Sequence, residues 1–398
     1  MTADLQDAAS GLLGHLVELR RTIHRHPELG LELPRTQQVV LDALGDLDLE
    51  VTTGEGTTSV VARLRGGRPG PTVLLRGDMD ALPMPEDTGL DFASEVGDTM
   101  HACGHDAHTA MLIGAAHLLE ARRSQLAGDV LFMFQPGEEG HHGARVMLDE
   151  GLLDGIDAAL AFAIHVTPNM PAGMIGTRAG ALLASADTVR ITITGKGGHA
   201  SMPHHCVDPI PAACELVGAL QTRVTRRIDP FRPAVLTISQ INAGTTTNVI
   251  PESAVLAGTL RTVDPRTREE MTGGITEVAN AIAAAHGCEA DVDLDAGYPV
   301  TVNHGSAADA VRAIAAGVLD PAKVIELPTP MMGAEDFSYV LERVPGAMAF
   351  LGVCPPGLDP ATAAPNHSNR MLLDEDAMVA GAALHAAVAL DTLTSPTD

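Results

Sequence analysis

The 398-residue chain sets 25 basic against 51 acidic residues, and its net charge of −26 argues against nucleic acid and anionic membranes as partners. At 45% hydrophobic and 19% charged it reads as globular, and it is long enough for two domains. With 2% aromatic residues and no Trp, its core must be filled by Leu, Val, Ile, Ala and Met.

The first 21 residues, MTADLQDAASGLLGHLVELRR, read as an amphipathic helix; they lack the basic and apolar regions of a signal peptide. Three short apolar runs follow, each ending in polar residues. TVLL (72–75) leads into Arg76, Gly77, Asp78, Met79 and Asp80. DVLFMF (129–134) leads into Gln135, Pro136, Gly137, Glu138 and Glu139, and AALAFAI (158–164) leads into His165. Such runs bounded by turn residues predict strands buried on both faces, whose carboxyl ends are where α/β sheets build sites. Between the first two runs, residues 106–123 predict a helix. No run of about 18 apolar residues predicts a membrane span.

Residues 185–296 change character. DTVRITIT (187–194) alternates Val189, Ile191 and Ile193 with polar residues, the period-2 pattern of a half-exposed strand. A helix from Pro209, strands at 234–241 and 253–263, a helix from Pro265 and the alternating CEADVDLD complete a β-α-β-β-α-β order, the ferredoxin-like unit. Buried α/β patterning returns after Gly297, with a helix near 305–318, a strand at 347–353 and an Ala-rich helix near 374–393. The expected organisation is a discontinuous catalytic domain (1–184 and 297–398) around an inserted domain at 185–296. Cys103, Cys206, Cys214, Cys288 and Cys354 are odd in number and lack paired spacing, so a reduced, cytoplasmic protein is expected.

Cys103 and His105 are separated by one glycine that lets both side chains converge, and thiolate and imidazole are good donors to zinc-like ions. A nucleophilic Cys–His pair and a plain polar turn stay open as readings. Glu138 and Glu139 are consecutive and so point apart. One can hold a metal while the other takes a proton from an attacking water, the division of labour metal-assisted hydrolysis needs. His165 beside its apolar run could be a core histidine, and His367 in PNHSNR a surface one. Asp78 and Asp80 are candidates for orienting a ligand imidazole. KGGHAS (196–201) lacks phosphate-loop spacing and presents His199 in a tight turn; AGTTTNVIP (243–251) presents Asn248.

The stretches RRTIHRHPELG, LLRGDMDALP, HACGHDAHTAMLIGAA, FMFQPGEEG, GKGGHASMPH, NVIP, MGAEDF and NHS, in that order, resemble the co-catalytic metallopeptidase and aminoacylase family. The branch is that of N-acyl-amino-acid amidohydrolases, hippurate hydrolases and auxin-conjugate hydrolases. The resemblance implies a zinc-aminopeptidase-like α/β/α catalytic domain with a ferredoxin-like lid that commonly dimerises. It implies two divalent metal ions (Zn, Mn, Co or Ni) held by Cys103, His105, Glu139, His165 and His367. Glu138 would be general base and acid, and His199, with Asn248 assisting, would stabilise the oxyanion. The implied substrate is a small N-acyl amino acid; a dipeptidase or carboxypeptidase, a cysteine hydrolase using Cys103 and an idle binding protein are the alternatives. The chain departs from relatives at His141 and His142, where glycines are common, at Ala334 in place of Ser, and in NHSNRM, which lacks the usual Pro and Phe.

Overall fold

A computed structural model describes residues 2–394, with side chains from residue 4 onward. The described chain divides into two compact units. The larger comprises 1–180, 302–329 and 339–398, and the smaller comprises 181–301 and 330–338.

The larger unit is built on an eight-stranded mixed sheet. Its order is Glu50–Thr53, Val60–Leu64, Ala127–Gln135, Arg68–Asp78, Ala158–Pro171, Gly346–Cys354, Ile175–Thr177, Val324–Glu326. The four central strands, from Ala127–Gln135 to Gly346–Cys354, run parallel. They are the continuous apolar runs of the sequence, and Gly346–Cys354 is buried at every position, as a strand covered on both faces must be. The hairpin Glu50–Thr53/Val60–Leu64 adds an antiparallel edge that the sequence reading did not anticipate. The strand expected at 158–164 continues to Pro171, because it pairs with Gly346–Cys354 as far as Thr167 and again at Pro171. His165 therefore sits inside a strand rather than at its end.

The helices His105–Glu120 and Met378–Thr394 pack together over this sheet. Their approach is close enough that a Cβ on Gly381 would lie 2.0 Å from Met111 Sδ, so any side chain there would displace Met111. The segment Glu375–Thr394 is long and apolar enough to cross a membrane by length and composition, the one such helix among the described residues, although no 18-residue run was expected. The Ala-rich composition carries its mean hydropathy past Asp391 and His385, and 72% of its apolar window is buried inside the protein, as a central core helix requires. The expected N-terminal helix is two, Thr2–Gly11 and Leu13–Arg25.

The smaller unit has the β-α-β-β-α-β order expected from the sequence. Its antiparallel sheet runs Ala234–Ala243, Ser253–Thr262, Asp187–Thr194, Glu289–Ala296. Val189, Ile191 and Ile193 are buried with Leu216, Leu220, Met271 and Ile275 from the helices Pro209–Arg227 and Pro265–Ala285. Both helices start the same way: Asp208 and Asp264 accept hydrogen bonds from Ile210 N–H and Thr267 N–H, and proline fills the first helical position. Residues 330–338 belong to this unit, not to the C-terminal part of the catalytic domain where the expected boundary put them. The reason is backbone pairing: Ala184 N–H donates to the carbonyls of Met331 and Gly333, and Leu183 bridges Met331 in parallel. A Pro- and Gly-bearing stretch without periodicity gives no sequence signal of that pairing.

Candidate active site

The site of the larger unit forms where the strands Arg68–Asp78, Ala127–Gln135 and Ala158–Pro171 deliver polar residues beside the start of the helix His105–Glu120. Gly104 caps that helix at φ +87°, and a Cβ there would lie 2.4 Å from Val166 Cγ2. Only glycine permits the turn that brings Cys103 and His105 to the same place.

Asp80 organises the acidic loop. Its carboxylate accepts the amide N–H groups of Glu138 and Glu139, both at 2.9 Å. Its backbone carbonyl accepts a hydrogen bond from His105 Nδ1 at 2.8 Å, which leaves His105 Nε2 as the free donor atom. The ligand-orienting task expected of the two aspartates thus falls to a carbonyl of Asp80. Asp78 Oδ1 instead takes His108 Nδ1 at 2.5 Å, while its Oδ2 accepts from Arg76 at 2.5 Å. His108 Nε2 must be an acceptor, because the Val166 amide N–H donates to it at 2.8 Å; its proton is therefore on Nδ1, facing Asp78. His108 links two strands behind the site through Asp78 and Val166.

Cys103 Sγ is 3.3 Å from His165 Nε2. His367 is held at φ +67°, and its N–H donates to Ala102 C=O at 2.9 Å. A non-glycine residue in that conformation is strained, and such strain gathers at functional sites. Asn366, missed in the sequence, donates to the carbonyls of Cys103 and Val166 at 3.0 and 3.2 Å and fixes the loop that presents His367.

Five sets of donor atoms among the described residues lie close enough to share a metal ion, and three of them are drawn from the sequence-predicted ligands and Glu138: Cys103–His105–His165, Cys103–Glu139–His367 and His105–Glu138–Glu139. The first two of these three share Cys103. His105 Nε2 is buried without a hydrogen-bond partner, and Glu139 Oε1 lies 3.1 Å from His367 Nε2. Buried polar atoms are costly when unsatisfied, and a mixed S, N and O donor set with open valences fits divalent ions.

The charges are arranged accordingly. Burial works against ionising Asp78, but Arg76, His105 and His108 outweigh it and hold the carboxyl well below the usual range. Burial likewise opposes charge on Glu139, and the His367 hydrogen bond with the His105 charge lowers it nonetheless. Hydrogen bonds to Cys103 and Glu139 push His367 up to about 10. Burial pushes the Cys103 thiol up, the opposite of what a nucleophilic cysteine needs.

A second cluster lies behind the helix start. Asp106 is fully buried and accepts from Arg20 Nε at 3.0 Å, with His24 Nδ1 at 2.8 Å from the same oxygen. His24 Nε2 is 3.2 Å from Glu86, and Arg20 and Arg21 both bond Glu375. Arg20, Arg21 and His24 come from the RRTIH stretch, whose role the sequence left unassigned. His101 is buried beside them with both ring nitrogens unpartnered, and burial lowers it to about 3.

In the smaller unit, the two-residue ribbon Gly198–His199/Val249–Ile250 sets His199 beside Asn248. Ser201 N–H donates to His199 Nδ1 at 3.2 Å, so a neutral His199 carries its proton on an outward Nε2. Asn248 Oδ1 accepts from Thr246 at 3.1 Å.

Residues 74–391 match the peptidase family M20/M25/M40. The chain belongs to that family. M20 proteins similar to it include thermostable carboxypeptidase 1 of Saccharolobus solfataricus, 38% identical over 379 residues, 94% of each chain. N-acetyl-L-cysteine deacetylase of Bacillus subtilis is 40% identical over 347 residues, 86% of this chain and 81% of the deacetylase. The crystal structure of a Bacillus subtilis dinuclear metal-binding peptidase of the M20 family superposes with a TM-score of 0.83 at 34% identity, covering 96% of this chain and 99% of that one. This M20 member is accordingly a metal-dependent hydrolase of mixed α/β fold, in the branch that includes amidohydrolases of acylated amino acids.

Proposed function

We propose that the protein hydrolyses the amide bond of N-acyl amino acids with a water as nucleophile. The observation that carries this reading is Asp80 fixing both amides of the Glu138–Glu139 pair beside unsatisfied His105 Nε2. Cys103, His105, Glu139, His165 and His367 would hold two divalent ions; Zn, Mn, Co and Ni all suit the donors. When bound, the metals supply Lewis acidity that polarises the scissile carbonyl and acidifies a water.

Glu138, buried and not needed to complete the Cys103-sharing donor sets, takes the proton of the attacking water. It then delivers that proton to the leaving nitrogen, so the carboxylate ends as it began. Asp80 keeps Glu138 in place, and Asp78 supports the site through His108. The outward Nε2–H of His199 suits donation to the developing oxyanion, with Asn248 assisting.

The second reading, a carboxypeptidase or dipeptidase, is favoured by the 38% identity to a carboxypeptidase. Rates on hippurate, N-acetyl amino acids and dipeptides separate the two. Faster turnover of the acylated amino acids is expected, and a preference for dipeptides moves the assignment to the second reading.

We further infer a homodimer through the smaller unit. Its edge strand Ala234–Ala243 carries exposed Val235 and Ile241, and Phe231 just before it is 93% exposed, an unprotected edge of the kind that pairs with another chain. Sedimentation is expected to give a dimer that Phe231→Asp weakens; a monomer at working concentration overturns this. The five free cysteines support a reducing, cytoplasmic location, which cell fractionation reads directly.

A further inference from the structure

The loop bearing Glu138 and Glu139 is closed by Gly140 N–H on Glu138 C=O at 2.8 Å and by Gly143 N–H on Gly137 C=O at 3.0 Å. It is tight: a Cβ on Gly143 would lie 1.7 Å from the Pro136 oxygen. The chain leaves it through His142 at φ +55°, a conformation that glycine adopts freely and histidine does not. Two side chains hold it there. His142 Nδ1 is 2.8 Å from the Tyr339 hydroxyl, 197 positions away in sequence, and Arg145 lies over the Tyr339 ring at 5.6 Å. The His141 ring packs on the Gly30 backbone, where an added Cβ would come within 3.3 Å of it.

We propose that His141 and His142 form a clasp that positions Glu138, tying the far end of its loop to Gly30 and Tyr339 while Asp80 ties the near end. Side chains anchored at both positions take backbone freedom away from the loop. A proton carrier must be held to within fractions of an ångström, so a loosened loop lowers kcat more than it alters substrate binding. His142 and Tyr339 are thus positioning residues, and the inference rests on Glu138 being the proton carrier.

Tyr339→Phe keeps the ring under Arg145 and removes only the hydroxyl. It is expected to lower kcat about tenfold with KM within about twofold. Metal content should be unchanged, and the Gly140 and Gly143 amides should exchange hydrogen faster even in metal-free protein. His142→Ala is expected to lower kcat similarly, and the double variant no further. Wild-type kcat or unchanged amide protection in Tyr339→Phe, or additive losses in the pair, overturns the clasp. An active Glu138→Gln variant instead overturns the reading of Glu138, so the two failures are distinguishable.

Discussion

Replacing Glu138 with Gln is expected to lower kcat by about 10²–10⁴-fold, the usual share of a positioned acid–base group, while the protein keeps its full metal content. The amide preserves the shape of the side chain, so the Asp80 hydrogen bond to the Glu138 backbone N–H survives. What is lost is the capacity to accept a proton from water and return it to the leaving nitrogen. Metal should stay because Cys103, His105, His165, Glu139 and His367 are untouched, and the two donor sets that share Cys103 do not include Glu138. Metal analysis beside steady-state kinetics separates the outcomes. Loss of metal would make Glu138 a ligand, and full activity would remove it from the reaction.

Replacing Asp106 with Ala is expected to destabilise the larger unit by about 3–5 kcal/mol, the penalty for stranding buried partners of an ion pair. Arg20 and His24 would both lose the carboxylate they converge on. Because Asp106 follows His105 directly, the helix start should shift, and metal affinity should fall about 10–100-fold, as for other supports of ligand residues.

The same cluster gives stability a pH dependence. Burial works against charge on His24, but the Asp106 charge and the hydrogen bonds that the ring donates to Asp106 and Glu86 outweigh it and push His24 up to about 9. A raised folded-state pKa stabilises fully below the unfolded value of about 6.5, and that contribution, on the order of 3 kcal/mol, is lost as pH rises through about 9. Asp106 and Glu86 are shifted downward despite burial, so their contribution is lost instead on the acid side. The unfolding midpoint of the native protein should fall between about pH 6.5 and 9, and Asp106→Ala should flatten that fall. An equal slope in both proteins would contradict the assignment.

The parts of this molecule legible in sequence were those with local causes. Period-2 alternation in DTVRITIT and the Asp-Pro starts of two helices are short-range signals, and the smaller unit folds as they indicate. Continuous apolar runs marked the central parallel strands, and the polar residues after them marked where a site could form. Long-range events were not legible. Asp80 reaches amides 58 and 59 positions away, Asn366 reaches Cys103 across 263, and Arg20 meets Asp106 across 86. His165 looked like a strand end because the apolar run stops at Ile164, whereas pairing with Leu351 and Gly352 carries the strand on through Val166 and Thr167. The pairing of Ala184 with Met331 and Gly333 moved the unit boundary for the same reason.

The central claim is that a metal-dependent water, not Cys103, attacks the amide. Metal-stripped protein titrated with a divalent ion while hippurate hydrolysis is followed tests it most directly. The account predicts no turnover without metal and activity that saturates near two equivalents per chain. Turnover by the metal-free protein that a thiol reagent abolishes would contradict it.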